Sequence, residues 1–346
     1  VSVLYWDIWM LVTLGINTHV GGVGSLCEGG DARPSCFVSG GSVDGLVKLW
    51  DTRLPRKKDF ITIHDKELDE LMEIRWCSNS MTAMAACGNR LVWLDFRQPS
   101  HAQHVESFGV DVSFLSKRPQ AEKSASVLIA DDDGHLYLHS FCCDSSAAKP
   151  LSNFLLDNIC CGMGQSRLMT TTSTDKIPVD WVLSMGGHLH GFVLPDHSSS
   201  EPKVVASYNL MGTEKLGVAS TNRQQLCNPP VPTCMGVSRY DEGQYVAVGH
   251  ADGQYTIVES SSLAEEGQIC LTAPGHESNG LVSVCWMGNN SDRLLTVAIS
   301  GELSLWHVGP LLAPAEEDVE EGELPDLLFA ASTRETLQSH NVVNCC

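Results

Sequence analysis

Two-residue turn signals recur along this chain every 44 to 66 residues, and each one separates two short apolar runs. In the clearest copy, Cys36 to Arg53, one apolar run leads into Asp44-Gly45 and a second leads out toward Trp50. An Asp-Gly pair adopts positive φ at little steric cost, so its turn twists with the strands and fixes the register of a hairpin. Comparable turns follow at Gly88-Asn89, Asp133-Gly134, Gly186-Gly187, Asp252-Gly253 and Ser300-Gly301. The sequence therefore predicts an all-β chain of repeated hairpins.

A repeat of about 40 to 45 residues with four short strands is typical of β-propeller blades. Three of the hairpin units also end a strand in Trp at the same offset, at Trp6, Trp50 and Trp306. On these residues the chain resembles the WD40-repeat family. The resemblance implies an all-β WD40 propeller with seven blades. The first blade is expected to be incomplete at the N-terminus, because one repeat before Gly45 falls on Val1.

In the WD40 family, a His before the first strand, a Ser or Thr on the next strand, the turn Asp and the Trp form a hydrogen-bonded network. The resemblance assigns these roles to His19, Ser39, Asp44 and Trp50. Only this unit carries the full set. We therefore expect the other units to depend mainly on packing.

The repeat pattern predicts one propeller domain over residues 1–308. The stretch 309–333 is rich in Pro and acidic residues, which predicts an acidic disordered tether. The terminal segment 334–346 is a candidate strand for closing the ring. Two further stretches, 142–178 and 195–232, are polar and turn-rich, and they are predicted to be loops.

Charge and cysteine usage limit the partners and the compartment. With 22 basic and 42 acidic residues, the formal net charge is -20, so nucleic acid would be repelled. The only basic cluster, Arg53 to Lys58, is short and is interpreted as a solvated loop. The apolar run from Val1 to Ile16 is interrupted by Asp7 and is shorter than the roughly 20 residues that span a bilayer, so no membrane partner is expected. The 14 cysteines include no C-x-x-C pair, and no signal peptide is recognised, which predicts reduced thiols in a cytoplasmic or nuclear protein.

Two consecutive units place an Arg three residues after the Trp position, in Trp50-Asp51-Thr52-Arg53 and Leu94-Asp95-Phe96-Arg97. This W-D-x-R pattern resembles the element by which WD40 propellers dock on the large adaptor subunit of cullin-4 ubiquitin ligases. The resemblance implies an adaptor-docking site formed by Trp50, Asp51, Arg53, Asp95 and Arg97. The planar fork of an Arg suits a carboxylate or carbonyl of a partner. The alternative is that each Arg pairs with an acid in a neighbouring blade.

Enzymatic motifs are weak in this sequence. The run Asp131-Asp132-Asp133-Gly134 lacks the spacing and final Glu of a calcium-binding loop, so a hairpin turn explains it better. His188 and His190 alternate on a strand and share one face, without a third metal ligand nearby in sequence. We therefore expect no catalytic residue, no metal site and no cofactor.

The sequence favours a non-catalytic WD40 scaffold that binds protein partners, and in its specific form a substrate receptor of a cullin-4 type ubiquitin ligase. Its partners would be the ligase adaptor and an unidentified client on the opposite face. One alternative is an enzyme or small-molecule binder that uses the central channel, which needs polar groups on the innermost strands. Another is a subunit of a chromatin or RNA-processing assembly, which needs a basic face. Neither feature is evident in the sequence.

Overall fold

The chain folds into six four-stranded sheets in the computed structural model, and within each sheet the strands follow one another in chain order. The described strands number 24, and a three-residue 3-10 helix lies at Lys66–Leu68. The all-β prediction is confirmed. The structure describes residues 19–20, 23–28, 35–51, 53, 61–76, 81–100, 102, 104–118, 126–140, 149–170, 173–193, 203–210, 231–238, 245–259, 268–276, 279–287, 292–309 and 326–332.

The chain divides into two compact units, and unit 1 comprises the residues up to Cys160. It contains the first three sheets. The first sheet consists of β1 (Val23–Glu28), β2 (Cys36–Gly41), β3 (Leu46–Asp51) and β4 (Ile61–His64). The second consists of β5 (Leu71–Trp76), β6 (Thr82–Cys87), β7 (Arg90–Asp95) and β8 (His104–Ser107). The third consists of β9 (Val112–Arg118), β10 (Ser126–Asp131), β11 (His135–Ser140) and β12 (Lys149–Leu155).

Unit 2 comprises Cys161–Arg334 and contains the other three sheets. The fourth sheet consists of β13 (Cys160–Thr170), β14 (Ser173–Ser184), β15 (His188–Val193) and β16 (Lys203–Asn209). The fifth consists of β17 (Pro232–Val237), β18 (Tyr245–His250), β19 (Gln254–Glu259) and β20 (Gln268–Pro274). The sixth consists of β21 (Leu281–Met287), β22 (Arg293–Ala298), β23 (Glu302–His307) and β24 (Asp326–Ser332).

Each of the six predicted turns joins the second and third strands of one sheet, which confirms the hairpins. One glycine in every turn has positive φ, and these are Gly45, Gly88, Gly134, Gly187, Gly253 and Gly301. In the first turn the Asp44 side chain accepts a hydrogen bond from the Leu46 amide at 3.0 Å, which closes the loop. The local turn chemistry therefore sets the register of every sheet.

The buried apolar side chains lie between neighbouring sheets of each unit. In unit 1, Leu49 of the first sheet belongs to one buried cluster with Ile74 and Phe96 of the second. In unit 2, Tyr255 of the fifth sheet shares a cluster with Trp286 of the sixth. Burying a Leu, Ile or Phe side chain contributes roughly 1.5–3 kcal/mol, so each sheet is stabilised mainly through its faces. The first strands β1, β5 and β9 of unit 1 pack side by side, and so do β17 and β21 of unit 2.

Three stretches that were predicted to be loop or tether contain strands, and those predictions were wrong. Residues 142–178 include β12, all of β13 and the first half of β14, and residues 195–232 include β16. Within the predicted tether 309–333, β24 pairs antiparallel with β23 and completes the sixth sheet. An outermost strand such as β16 exposes one face to water and tolerates polar residues there, so its composition resembles that of a loop.

Other parts of the predicted organisation lie outside the described residues. They are the opening half-blade over 1–16, the acidic stretch 310–325 and the candidate closing strand 334–346. Seven blades and a closed ring therefore stay predictions. No helix in the part of the chain that the structure describes is both long and apolar enough to cross a bilayer.

Candidate functional site

The third strands of the first two sheets place their terminal Asp residues at equivalent positions. Asp51 at the end of β3 pairs with Cys36 at the start of β2, and Asp95 at the end of β7 pairs with Thr82 at the start of β6. The Arg of each motif follows two residues later. The two sheets thus carry the same Asp-x-Arg element at the same edge.

The packing of β1 against β5 puts both elements on one face of unit 1. The Ile74 amide donates to Ser25 Oγ at 3.1 Å, and the Trp76 amide donates to Cys27 Sγ at 3.1 Å. Residue numbers rise together along the two strands, so β1 and β5 are parallel. Neighbouring strands in each sheet are antiparallel, so β3 runs in the same direction as β1, and β7 in the same direction as β5. The strands β3 and β7 are therefore parallel to each other. Their ends define the arginine face of unit 1, which carries Arg53 and Arg97.

Each Arg on the arginine face forms a two-pronged ion pair with the Asp of its own motif. Arg53 donates from Nε and Nη2 to Asp51 at 2.9 and 2.6 Å, and Arg97 donates likewise to Asp95 at 2.9 and 2.7 Å. The Arg backbone amides also donate to the Asp Oδ1 atoms, at 3.0 and 2.9 Å. The Asp side chains are 9% and 10% exposed, whereas the Arg side chains are 72% and 64% exposed. Each guanidinium is therefore oriented by a nearly buried carboxylate while remaining accessible.

These ion pairs change the proton affinity of the groups that form them. Hydrogen bonding to the Arg97 side chain, more than the opposing effect of burial, lowers the pKa of Asp95. The pKa of Arg53 is raised, mainly by the hydrogen bond to Asp51 and then by its charge. Both directions favour the charged pair. Among the described contacts, the ion pair of each Arg is with the Asp of its own motif.

The loop that carries Arg97 is fixed to the core by the residue before it. Phe96 is buried and stacks on Trp76 with ring centroids 5.4 Å apart. Its amide donates to the Met81 carbonyl at 2.8 Å, and the Gln98 amide donates to the Asp95 carbonyl at 2.9 Å. The alternation of Asp95, Phe96 and Arg97 thus anchors one side chain inside while holding the ion pair at the surface.

The structure brings together the four residues of the predicted WD40 network in the first sheet. His19 Nδ1 lies 3.0 Å from Asp44 Oδ2, and His19 Nε2 lies 2.8 Å from Ser39 Oγ. Trp50 Nε1 donates to the same Ser39 Oγ at 2.8 Å, and the Trp50 ring stacks on Phe37 at 5.9 Å. Trp50 directly precedes Asp51, so this network fixes the strand end from which the first Asp–Arg pair extends.

Part of a similar network lies in the sixth sheet. His276 Nε2 lies 3.0 Å from Thr296 Oγ1, and Trp306 Nε1 donates to the same oxygen at 2.9 Å. Glu302 lies 3.4 Å from His276 Nδ1, but no hydrogen bond to this buried nitrogen is formed among the described residues. The turn of this sheet has Ser300 where the first has Asp44, so the sixth sheet lacks the full set.

The remaining candidate motifs form ordinary strand and turn structure. In the Asp131 to Gly134 run, the Gly134 amide donates to the Asp131 carbonyl at 3.1 Å and closes the predicted hairpin. His188 and His190 share one face of β15, where their rings stack at 5.9 Å. Among the described residues, no three His, Cys, Asp or Glu side chains are grouped closely enough to hold a metal ion.

Comparisons with known proteins address the fold. No protein-family model matches the sequence, and no curated protein matches it. The structure is similar to the crystal structure of Sqt1 from Saccharomyces cerevisiae, a WD40 protein, with a TM-score of 0.63 and 11% sequence identity. The match covers 92% of this chain and 77% of that one. At this identity the similarity shows the fold alone, which is a WD40 propeller-like arrangement of four-stranded antiparallel sheets.

Proposed function

We propose that this chain is a non-catalytic interaction scaffold that docks on a protein partner through its arginine face. The observation that carries the proposal is the repetition of one element: two exposed guanidinium groups, each held by a nearly buried carboxylate, on successive sheets of unit 1. A single Asp–Arg pair at a surface is commonplace. The same geometry at equivalent positions on one face supports a shared role.

The physical advantage of this arrangement is preorganisation. A free Arg side chain loses about 2 kcal/mol of rotamer entropy when it is immobilised. Because Asp51 and Asp95 already restrict the guanidinium groups in the unbound protein, binding a partner costs less of this entropy. Arg is enriched among the residues that dominate binding at protein interfaces. A partner that offers carboxylates or backbone carbonyls at the spacing of Arg53 and Arg97 would complete the two sites.

The specific partner that we propose is the large adaptor subunit of cullin-4 ubiquitin ligases, with the chain as a substrate receptor. The supporting observation is the pair of W-D-x-R-like motifs. The segment from Gln225 to Val308 also resembles the last repeats of WD repeat-containing protein 53, although neither the family models nor the curated proteins support that likeness. We place the protein in the cytoplasm or nucleus, where such an adaptor would be met and where its buried thiols would stay reduced.

A catalytic role in a central channel receives no support from β5, a first strand with two buried charged residues. On β5, the Glu73 carboxylate and the Arg75 guanidinium are both buried and form an ion pair. Ser25 Oγ also donates to Glu73 at 3.4 Å, and Arg75 Nε donates to the Leu115 carbonyl at 3.1 Å. Burial raises the pKa of Glu73, and the charge of Arg75 opposes this effect. These groups join β1, β5 and β9, so we assign them a structural role.

The proposal is tested by affinity purification of the full-length protein from cells beside an Arg53→Ala, Arg97→Ala double variant. We expect the adaptor to be recovered with the wild type and lost with the double variant. An Arg293→Ala variant is the matched control, because Arg293 is also exposed but belongs to unit 2 and pairs only loosely with Asp292, at 3.8 Å. The docking proposal would be refuted if the double variant still recovered the adaptor, or if the wild type failed to recover it.

A further inference from the structure

The surface of unit 1 opposite the arginine face collects its exposed apolar side chains. This turn face consists of the hairpin turns 42–45, 88–89 and 132–134 and the connections 65–70, 108–111 and 156–159. All five large apolar side chains that are exposed in the described part of unit 1 lie on it or beside it. They are Val20, Val43, Met72, Leu155 and Ile159, from 36% to 75% exposed.

The pairing of the strands fixes these positions. Met72 follows Leu71, which pairs with Cys87 directly before the second turn. Leu155 pairs with His135 directly after the third turn. The Val20 amide donates to the Asp44 carboxylate of the first turn at 2.9 Å, which keeps Val20 beside that turn.

The first two sheets adjoin closely on this face. A Cβ on Gly24 of β1 would lie 2.4 Å from the Leu71 carbonyl and 3.3 Å from the Ser42 Cα, so only Gly fits between the two sheets there. Val43 follows Ser42, and Met72 follows Leu71. The two exposed residues are therefore each one position from the same close contact between sheets.

Carboxylates surround these apolar side chains. Asp69 lies next to the first turn: its Oδ1 is 3.1 Å from the position that a Cβ atom on Gly45 would take. Glu70 and Asp111 lie over the second turn, since their carboxylate oxygens would be 2.8 and 3.8 Å from a Cβ on Gly88. In the third turn, partial burial followed by the charges of Asp111 and Asp131 raises the pKa of Asp132.

These carboxylates are not in ion pairs with Lys or Arg within the described part of the chain. The cations nearby, Lys66 and Arg90, both pair with Glu67, at 3.7 and 2.8 Å. No described Lys or Arg side chain forms an ion pair with the exposed carboxylates of the face. Those carboxylates are Asp69, Glu70, Asp111, Asp132 and Asp133.

We propose that the turn face of unit 1 binds a basic protein segment that also carries apolar side chains. The Lys or Arg residues of the segment lie against Glu70, Asp111 and Asp132, and an apolar side chain covers Val43 and Met72. The charge of the face selects this occupant, because a nucleic acid or an anionic membrane would be repelled by the same carboxylates. This inference rests on the proposed scaffold function and gives the second face of that scaffold a partner class, since the arginine face offers exposed guanidinium groups instead of exposed carboxylates.

The test uses purified full-length protein and a fluorescent peptide of alternating Lys and Leu, with binding measured by anisotropy at physiological salt. A Glu70→Lys, Asp111→Lys double variant is expected to bind the peptide about tenfold more weakly than the wild type. The matched control is Glu259→Lys, Asp292→Lys, which changes the net charge equally in unit 2. A Val43→Ser variant, at an exposed turn position where folding is insensitive to the change, is expected to weaken binding about threefold.

Three results would overturn the inference. The first is equal loss of affinity in the turn-face variant and the unit 2 control, which indicates attraction to overall charge alone. The second is undetectable binding of the Lys-Leu peptide. The third is equally tight binding of a Lys-Ser peptide of the same length. All these variants keep Arg53 and Arg97, so adaptor recovery is measured separately and can fail or succeed independently of this result.

Discussion

Replacing Ser39 by Ala removes the oxygen on which the network of the first sheet converges. Asp44 can only accept when ionised, so His19 Nδ1 carries the hydrogen between them. With a neutral ring, the Ser39 hydroxyl then accepts from Trp50 Nε1 and donates to His19 Nε2, each at 2.8 Å. In Ser39→Ala both of these buried groups lose their partner.

The magnitude follows from the number of groups left without a hydrogen bond. A buried polar group without a partner costs about 1–3 kcal/mol, so with two such groups Ser39→Ala is expected to lower the free energy of unfolding by roughly 2–6 kcal/mol. Trp50→Phe retains a ring that can stack on Phe37 but removes the indole donor, and is expected to cost less. The double variant has no unpaired indole N–H. Its destabilisation should therefore fall about 1–2 kcal/mol short of the sum of the single variants.

The assay is equilibrium urea unfolding followed by far-ultraviolet circular dichroism, which does not depend on the substituted Trp. Ser39→Ala combined with Trp306→Phe is the matched control, because Trp306 donates to Thr296 in a separate network of unit 2. That pair should be additive within about 0.5 kcal/mol. The reasoning would be refuted if the destabilisations of Ser39→Ala and Trp50→Phe also added up within about 0.5 kcal/mol in their double variant.

Three further predictions concern buried or paired ionisable groups. Arg75→Met leaves the buried Glu73 carboxyl without its partner and should destabilise the protein by about 3–5 kcal/mol in urea unfolding, more than the Glu73→Gln, Arg75→Met double variant; a larger loss in the double variant would contradict this. Because Arg97 lowers the pKa of Asp95, Arg97→Ala should move the carboxyl NMR titration of Asp95 to higher pH. The stability that this ion pair contributes is present above the pKa of Asp in the unfolded chain and is lost as the pH falls through the lower pKa of the folded protein. The free energies of unfolding of wild type and variant should therefore become equal in acid. An unshifted titration of Asp95 would exclude the pairing. Burial raises the pKa of the Cys87 thiol to about 12, so Cys87 should react with iodoacetamide at pH 8 only after unfolding, as measured by mass spectrometry. Rapid alkylation of Cys87 in the native protein would show instead that the thiol is exposed.

The hairpins could be predicted because their determinants are local. Asp44-Gly45 contains both the residue that tolerates positive φ and the side chain that accepts from the Leu46 amide. Each of the six turns likewise has a glycine with positive φ and lies between the second and third strands of its sheet. Chemistry confined to a few consecutive residues needs no knowledge of the rest of the fold.

The outermost strands were missed because their determinants are not local. Along β16, exposed residues such as Lys203 and Ser207 alternate in part with buried ones such as Ala206 and Tyr208, and only the buried face meets the core. Polar residues on the other face made the stretch look like a loop. The apolar strand β24 follows an acidic stretch whose composition dominated the prediction.

The matching offsets of the two Arg residues could be read from the sequence, but the ion pairs that they form could not. The sequence placed Arg53 and Arg97 at matching offsets, which the structure puts on one face of unit 1. That each Arg folds back on the Asp two residues before it depends on side-chain geometry at the strand end, which the repeat pattern does not encode. In the sixth sheet, Ser300 replaces the turn Asp, so only the contacts of His276 and Trp306 with Thr296 correspond to the network of the first sheet.

The central claim is that two preorganised guanidinium forks dock the scaffold on its partner, and a charge-conserving substitution tests it most directly. Arg53→Lys, Arg97→Lys keeps both positive charges but removes the planar fork that binds a carboxylate in two places. Isothermal titration of the purified adaptor into this variant should show affinity at least about twentyfold below that of the wild type, since each lost fork contributes roughly 1 kcal/mol or more. Unchanged affinity of the Lys variant would contradict the account, because docking would then depend on charge alone.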